Sequence, residues 1–143
     1  MAQTYSLELA GLALLPVVKP SALGSFGARY KRYRATIPLT AQNIGDTVVV
    51  AVIPTGNTFA GLELSTDTSL GTATVSIGTA ATPAKYMAAQ VLTATNTPAV
   101  LGLVAQLIAG PLAAQETIIV TVGTAALPAS GNLLVDFSFS NPN

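Results

Sequence analysis

The strongest constraint on the fold is a succession of short β-type runs that continues from Tyr33 to Phe139. The runs are rich in Val, Ile and Thr, and Gly, Pro, Asn or Ser separates most of them. Short strands that recur roughly every 10 to 15 residues without a helical period are typical of an all-β sandwich or barrel. We therefore predict an all-β fold.

Eight runs qualify as strands. They are Tyr33–Leu39, Thr47–Ile53, Phe59–Leu64, Thr72–Ile77, Lys85–Leu92, Val100–Ile108, Glu116–Val122 and Leu133–Phe139. The first contains Pro38, which predicts an edge strand, and the second is a continuous apolar run, which predicts burial on both faces. Pro54 to Asn57 has the composition of a turn. A helix over Val100 to Ala109 is an open alternative that Gly102 weakens.

Charge is scarce and local in this chain. Charged residues make up 8% of the 143 residues and the formal net charge is zero, whereas soluble domains carry roughly 25% charged residues. A neutral chain lacks the basic excess that nucleic acid or anionic membranes attract, and near-zero charge favours self-association. A surface this poor in charge predicts that other proteins cover much of it.

The residue inventory excludes most catalytic chemistry. Histidine and cysteine are absent, so there is no imidazole base, no Cys or Ser-His nucleophile, no disulfide and no zinc site with His or Cys ligands. The six carboxylates are scattered singly, and no calcium loop or glycine-rich phosphate loop occurs. We expect no enzyme activity, no catalytic residue, no cofactor and no metal.

The first segment differs from the rest and is predicted to be an N-terminal arm, residues 1–33, ahead of a sandwich domain, residues 34–143. Pro16 and Pro20 interrupt it. Its apolar residues are expected to need a covering partner: Leu12, Leu14, Leu15, Val17 and Val18. Folding back as an edge strand of its own domain is the alternative. The apolar run is too short to span a bilayer and lacks the basic start of a secretion signal.

Four of the twelve charges fall between Arg29 and Arg34. The candidate contact residues there are Arg29, Tyr30, Arg32, Tyr33 and Arg34. Arginine and tyrosine are enriched in protein interfaces, although a solvated start of a strand and a nucleic-acid contact are alternatives, the last disfavoured because four charges give modest phosphate affinity. In a strand, side chains alternate between two faces, so basic side chains are expected on both faces.

The middle of the chain resembles the small head decoration (cement) proteins of tailed bacteriophages. The residues that carry the likeness are Asp67 to Gly78, Lys85-Tyr86-Met87-Ala88-Ala89, and Glu116 to Val122, within about residues 47–123. The resemblance implies a β-sandwich of jelly-roll type, commonly trimeric, that attaches to the outside of a capsid and braces adjoining subunits. Proteins of this family have no catalytic residues, so the resemblance implies none here.

These expectations define a structural virion protein with the major capsid protein and further copies of itself as partners. It would be made in the host cytoplasm and located on the capsid surface. Another virion subunit, such as a tail, fibre or coat protein, is the alternative. A carbohydrate-binding β-sandwich module is a third, although the chain has no Trp and only eight Phe or Tyr residues.

Overall fold

The computed structural model describes residues 29–141, which form two four-stranded antiparallel sheets. In chain order the elements are β1 (Arg29–Pro38), β2 (Thr47–Ile53), β3 (Thr58–Thr66), β4 (Thr74–Gly78), β5 (Met87–Val91), β6 (Ala99–Leu101), α1 (Val104–Leu107), β7 (Glu116–Gly123) and β8 (Asn132–Asn141). Sheet A has the order β1-β8-β3-β6, and sheet B has the order β2-β7-β4-β5. The predicted all-β sandwich is confirmed. The jelly-roll type stays a prediction.

Strand β8 shows how the sequence pattern places the core. Leu133, Val135, Phe137 and Phe139 alternate along it and are fully buried, because side chains two residues apart share one face of a strand. The opposite face carries polar side chains such as Asp136. Since β8 lies between β1 and β3, even this outer face is largely covered.

One hydrophobic core joins the two sheets and contains an aromatic cluster around Tyr86. The Tyr86 ring lies 4.9 Å from that of Phe59 and 6.1 Å from that of Phe139, measured between ring centroids. The Tyr86 hydroxyl donates a hydrogen bond of 2.6 Å to Glu116 Oε2, and Lys85 pairs with the other oxygen of that carboxylate. The buried phenol is thereby satisfied at the edge of the core, as a buried tyrosine requires.

Several strand predictions are confirmed, and one burial prediction is wrong. Strand β2 has the predicted ends, but Val49 and Val52 are exposed. The continuous apolar run predicts burial on both faces, whereas β2 lies at an edge of sheet B. Strand β1 is an edge strand as predicted, and it begins at Arg29 rather than Tyr33.

The run from Val100 to Ile108 contains both of the structures that the sequence left open. Its first part is strand β6 and its later part is α1, a single helical turn. Gly102 separates the two with a φ of +145°, a conformation that glycine adopts and other residues rarely do. The glycine that weakened the helix prediction is the residue at which the strand gives way to the turn.

The sandwich has two different sides. Strands β1 and β2 are edge strands of their sheets and contact each other. Strands β5 and β6 are the opposite edges, and side chains from both line one groove. The strands at these two edges are therefore separated by the width of the sheets.

Candidate partner-contact surface

Strand β1 forms a basic edge, which we define as Arg29, Lys31, Arg32 and Arg34. Tyr33 points into the core, where its ring meets the Phe139 ring edge-on, while Arg32 and Arg34 lie on the outer face of sheet A. The alternation predicted for a strand is confirmed. Tyr33 therefore anchors β1 to the core, while the four cations remain exposed.

One carboxylate holds two of these cations. Asp136 on the neighbouring β8 accepts hydrogen bonds from Arg34 Nε at 2.8 Å and from Arg34 Nη2 at 2.7 Å, and it also pairs with Arg32. The Asp136 side chain is 6% exposed, and the two arginine side chains are about half exposed. A single buried carboxylate thus orients two arginine side chains that remain about half exposed to solvent.

The rest of the outer face of sheet A is polar and shallow. Tyr30 is 66% exposed and its hydroxyl bonds to Ser138. Glu63 on β3 is the cross-strand neighbour of Asp136, and its carboxylate makes no hydrogen bond or ion pair with any residue from 29 to 141. Together with Arg32 these residues line a groove of about 350 Å³.

The positive charge of the basic edge is not matched within residues 29–141. Arg29 and Lys31 form no ion pair there, and Arg32 and Arg34 share one anion. The remaining carboxylates are engaged elsewhere or isolated: Glu116 pairs with Lys85, Asp46 and Asp67 accept backbone N–H groups, and Glu63 stands alone. A second copy of the described domain therefore offers no acidic surface to match the basic edge.

The opposite side is apolar. A groove of about 340 Å³ runs between β5 and β6, and we call it the apolar groove. It is lined by Met87, Ala88, Gln90, Val100, Leu101, Gly102, Leu103 and Leu107. Beside it, Val104 and Ile108 are 70% and 79% exposed. Exposed apolar side chains scattered singly need no explanation, but a contiguous patch marks an interaction site.

The sequence candidates fall into two sets. Tyr30, Arg32, Tyr33 and Arg34 lie together with Arg29 on β1, and all but Tyr33 face solvent. The other set lies outside the described residues: Leu12, Leu14, Leu15, Val17 and Val18. Sequence reasoning missed Asp136 and the apolar groove, since both depend on strand pairings between distant parts of the chain.

The described residues contain no group of three or more acidic side chains that could hold a metal ion. Five of their six aromatic rings pack against one another in the core, and Tyr30 is the exposed one. Burial, and then the bond to Glu116, raise the pKa of Tyr86 above its ordinary value, so this phenol stays protonated. Within residues 29–141, no helix is long and apolar enough to span a membrane.

Comparison with known proteins gives two structural likenesses. No protein-family model and no curated protein matches the chain. The chain is similar to a chain of the cyanophage Pam1 capsid asymmetric unit, with a TM-score of 0.63 and 22% identity over 82% of this chain and 89% of that one. It is also similar to a chain in the capsid of Ralstonia phage GP4, with a TM-score of 0.64 and 16% identity over 85% and 95% of the two chains. At these identities the likeness shows the fold.

Proposed function

We propose that this chain is a structural protein of a bacteriophage virion that binds the outside of an assembled capsid and braces adjoining subunits. The observation that carries the proposal is the fold shared with two phage capsid chains over most of their length. The matched region makes up a similar share of this chain and of each capsid chain, so those chains are close to this one in length. The virion, and within it the capsid surface, is the proposed location after synthesis in the host cytoplasm.

The basic edge supports a contact with a different protein. Its cations exceed the carboxylates beside them, and the described domain carries no complementary acidic patch. We propose that the basic edge docks on an acidic surface of the major capsid protein. Charge complementarity of this kind steers docking and fixes its register.

Self-association completes the proposal. A homotrimer would present three basic edges to the shell, so that several modest contacts act together and avidity replaces a single tight site. The apolar arm residues, Leu12, Leu14, Leu15, Val17 and Val18, are proposed to bind a neighbouring protein in this assembly. Their burial there would remove apolar surface from water.

The direct test mixes the purified protein with capsids that lack it and determines a reconstruction by electron microscopy. We expect added density at symmetry-related positions outside the shell. Particles that show no added density at any symmetry position would refute the decoration role. A coat protein would instead assemble into shells on its own, which light scattering of the isolated protein detects.

The contribution of the basic edge is best tested at Arg29 and Lys31, because neither forms an ion pair within residues 29–141 and their replacement leaves the Asp136 cluster intact. Arg29→Gln with Lys31→Gln should weaken capsid binding about fivefold near 0.1 M salt and reduce its salt dependence. Thr72→Glu with Ala81→Glu, both in exposed loops, gives the same change in net charge. If both double variants weaken binding equally, only overall charge matters and the docking surface lies elsewhere.

A further inference from the structure

The side of the sandwich that bears the apolar groove has an unusual composition. Five of the ten exposed large apolar side chains of the described residues fall within Val100 to Ile108. No charged residue occurs anywhere from Tyr86 to Gln115. The residues that line the apolar groove are all uncharged, so a charged group buried in the groove would lose its water without finding a partner there, and an uncharged occupant fits it.

The groove also has strand edges on both of its sides. Strand β5 pairs with β4 alone and β6 pairs with β3 alone among the described strands. A free edge leaves backbone N–H and C=O groups without ladder partners, and an added extended segment is the usual way to satisfy them. The occupant that fits is an uncharged, apolar segment about one strand long.

The chain itself contains such a segment. Leu9 to Val18 is a run of ten residues with no charge and seven Leu, Val or Pro side chains. It lies ahead of Arg29 and outside the described residues. Ten residues, 19 to 28, connect it to β1, and a chain of that length reaches up to roughly 33 Å.

The topology indicates which copy supplies the segment. The connection leaves from β1, whereas the apolar groove lies at β5 and β6, the opposite edges of the two sheets. In an oligomer, Arg29 of one copy need only come within about 33 Å of the groove of the next copy, so the segment reaches the neighbour without placing the cations of β1 against its uncharged groove. Its own groove lies on the far side of its own sandwich.

We propose that Leu9 to Val18 of one copy binds in the apolar groove of a neighbouring copy. The contact joins two different surfaces of the same chain, so it is heterologous and produces a ring where the rotation between copies closes. This inference rests on the proposed self-association and names the surfaces that carry it. It makes no use of the basic edge, which remains free for the shell.

Disulfide trapping tests the proposal cleanly, because the chain has no native cysteine. One protein carries Leu14→Cys, a second carries Leu107→Cys in the groove, and a third carries Val49→Cys on β2 as an exposed control. Mixtures are oxidised and separated on a non-reducing gel. We expect a covalent dimer from the Leu14→Cys and Leu107→Cys mixture, formed at least tenfold faster than from the control mixture.

Two outcomes would overturn the proposal. If Leu14→Cys forms covalent dimers with Leu107→Cys and with Val49→Cys at equal rates, the disulfides arise from random collisions between copies and the segment does not bind the groove. A full-length protein that carries both Leu14→Cys and Leu107→Cys, and that oxidises only to a monomer-sized band, would mean that the segment covers its own groove.

A second variant tests the groove without oxidation. Leu107→Asp places a charge in the groove and should weaken self-association about tenfold to a hundredfold, as measured by analytical ultracentrifugation, while Val49→Asp should leave it unchanged. Circular dichroism shows whether each variant is folded. A folded Leu107→Asp protein with unaltered self-association would refute the proposal. The basic edge is intact in Leu107→Asp, so this variant should still bind capsids at high protein concentration. A loss of self-association with capsid binding retained therefore concerns the groove and not the decoration role.

Discussion

Asp136→Asn should show how much the buried carboxylate contributes to the fold. Asparagine keeps the size of the side chain but replaces one acceptor oxygen with an amide that donates hydrogen bonds. In the native protein both oxygens accept from guanidinium groups, Oδ1 and Oδ2 from Arg34 and Oδ2 also from Arg32. In the variant at least one guanidinium group therefore faces a donor instead of an anion.

The size of the effect follows from the burial of the three side chains. A hydrogen bond to a charged group contributes about 1.5–3 kcal/mol where its partner is buried. Asp136 is 6% exposed, but Arg32 and Arg34 are 50% and 53% exposed, so water recovers part of the loss at both guanidinium groups. We expect the free energy of unfolding to fall by about 2 kcal/mol, and the Tm by about 6 °C for a domain of this size.

Urea unfolding followed by circular dichroism measures this difference, with the protein concentration held constant because self-association would add apparent stability. Glu63→Gln is the matched control. Glu63 is the cross-strand neighbour of Asp136 on the same face, and its side chain makes no hydrogen bond within residues 29–141. Its replacement should change the free energy of unfolding by less than about 0.5 kcal/mol.

Two results would refute the reasoning. If Asp136→Asn unfolds within about 0.5 kcal/mol of the native protein, the ion cluster contributes no net stability and water replaces it fully. If Glu63→Gln costs as much as Asp136→Asn, the loss reflects the total charge of the face rather than the bonds to Arg32 and Arg34.

Three other predictions concern different parts of the molecule. Tyr86→Phe loses the hydrogen bond to Glu116 and should lower the free energy of unfolding by about 1 kcal/mol at pH 7. The pKa of Tyr86 is raised in the folded protein, so the stability of the native protein should fall as pH rises above about 10. Urea unfolding at pH 7 and above about pH 10 should show a smaller fall in the variant, which lacks this hydroxyl. Gly78→Ala should cost at least about 2 kcal/mol, because a Cβ would lie 2.7 Å from the backbone nitrogen of Lys85, whereas Gly110→Ala meets nothing within 4 Å; equal unfolding midpoints would contradict this. Raising the salt concentration from about 0.1 M to 1 M should release the protein from capsids without dissociating its oligomer. Sedimentation of the decorated capsids and of the isolated oligomer at both salt concentrations measures the two effects.

The sequence predicted strand positions well because local composition controls them. The ends of β2 follow from a β-branched run with a turn after it, and its predicted bounds are confirmed. The predicted burial of β2 was wrong for a physical reason. Composition indicates an extended conformation, whereas the exposure of a strand depends on which strands lie on either side of it. Val49 and Val52 are apolar in an edge strand, and nothing within the run itself indicates that position.

The site was only half predictable for the same reason. The alternation along β1 placed Arg32 and Arg34 on one face correctly, since it is a local property of a strand. Their partner Asp136 is more than a hundred residues away, and the pairing of β1 with β8 that joins them is not encoded in either segment alone. The apolar groove likewise forms from β5 and β6, which belong to different sheets.

The distribution of charge explains how one small domain could serve two kinds of contact. Sheet A carries the basic edge, Glu63 and Asp136, while the strands of sheet B hold a single charged residue, Glu116. Contacts through charges weaken with salt and select a partner of opposite charge, whereas contacts through apolar surface depend on the area removed from water. Because the two chemistries lie on opposite sides of the sandwich, a copy bound through its groove still presents its cations. Docking on the shell and association between copies can therefore occur together without competing for the same residues.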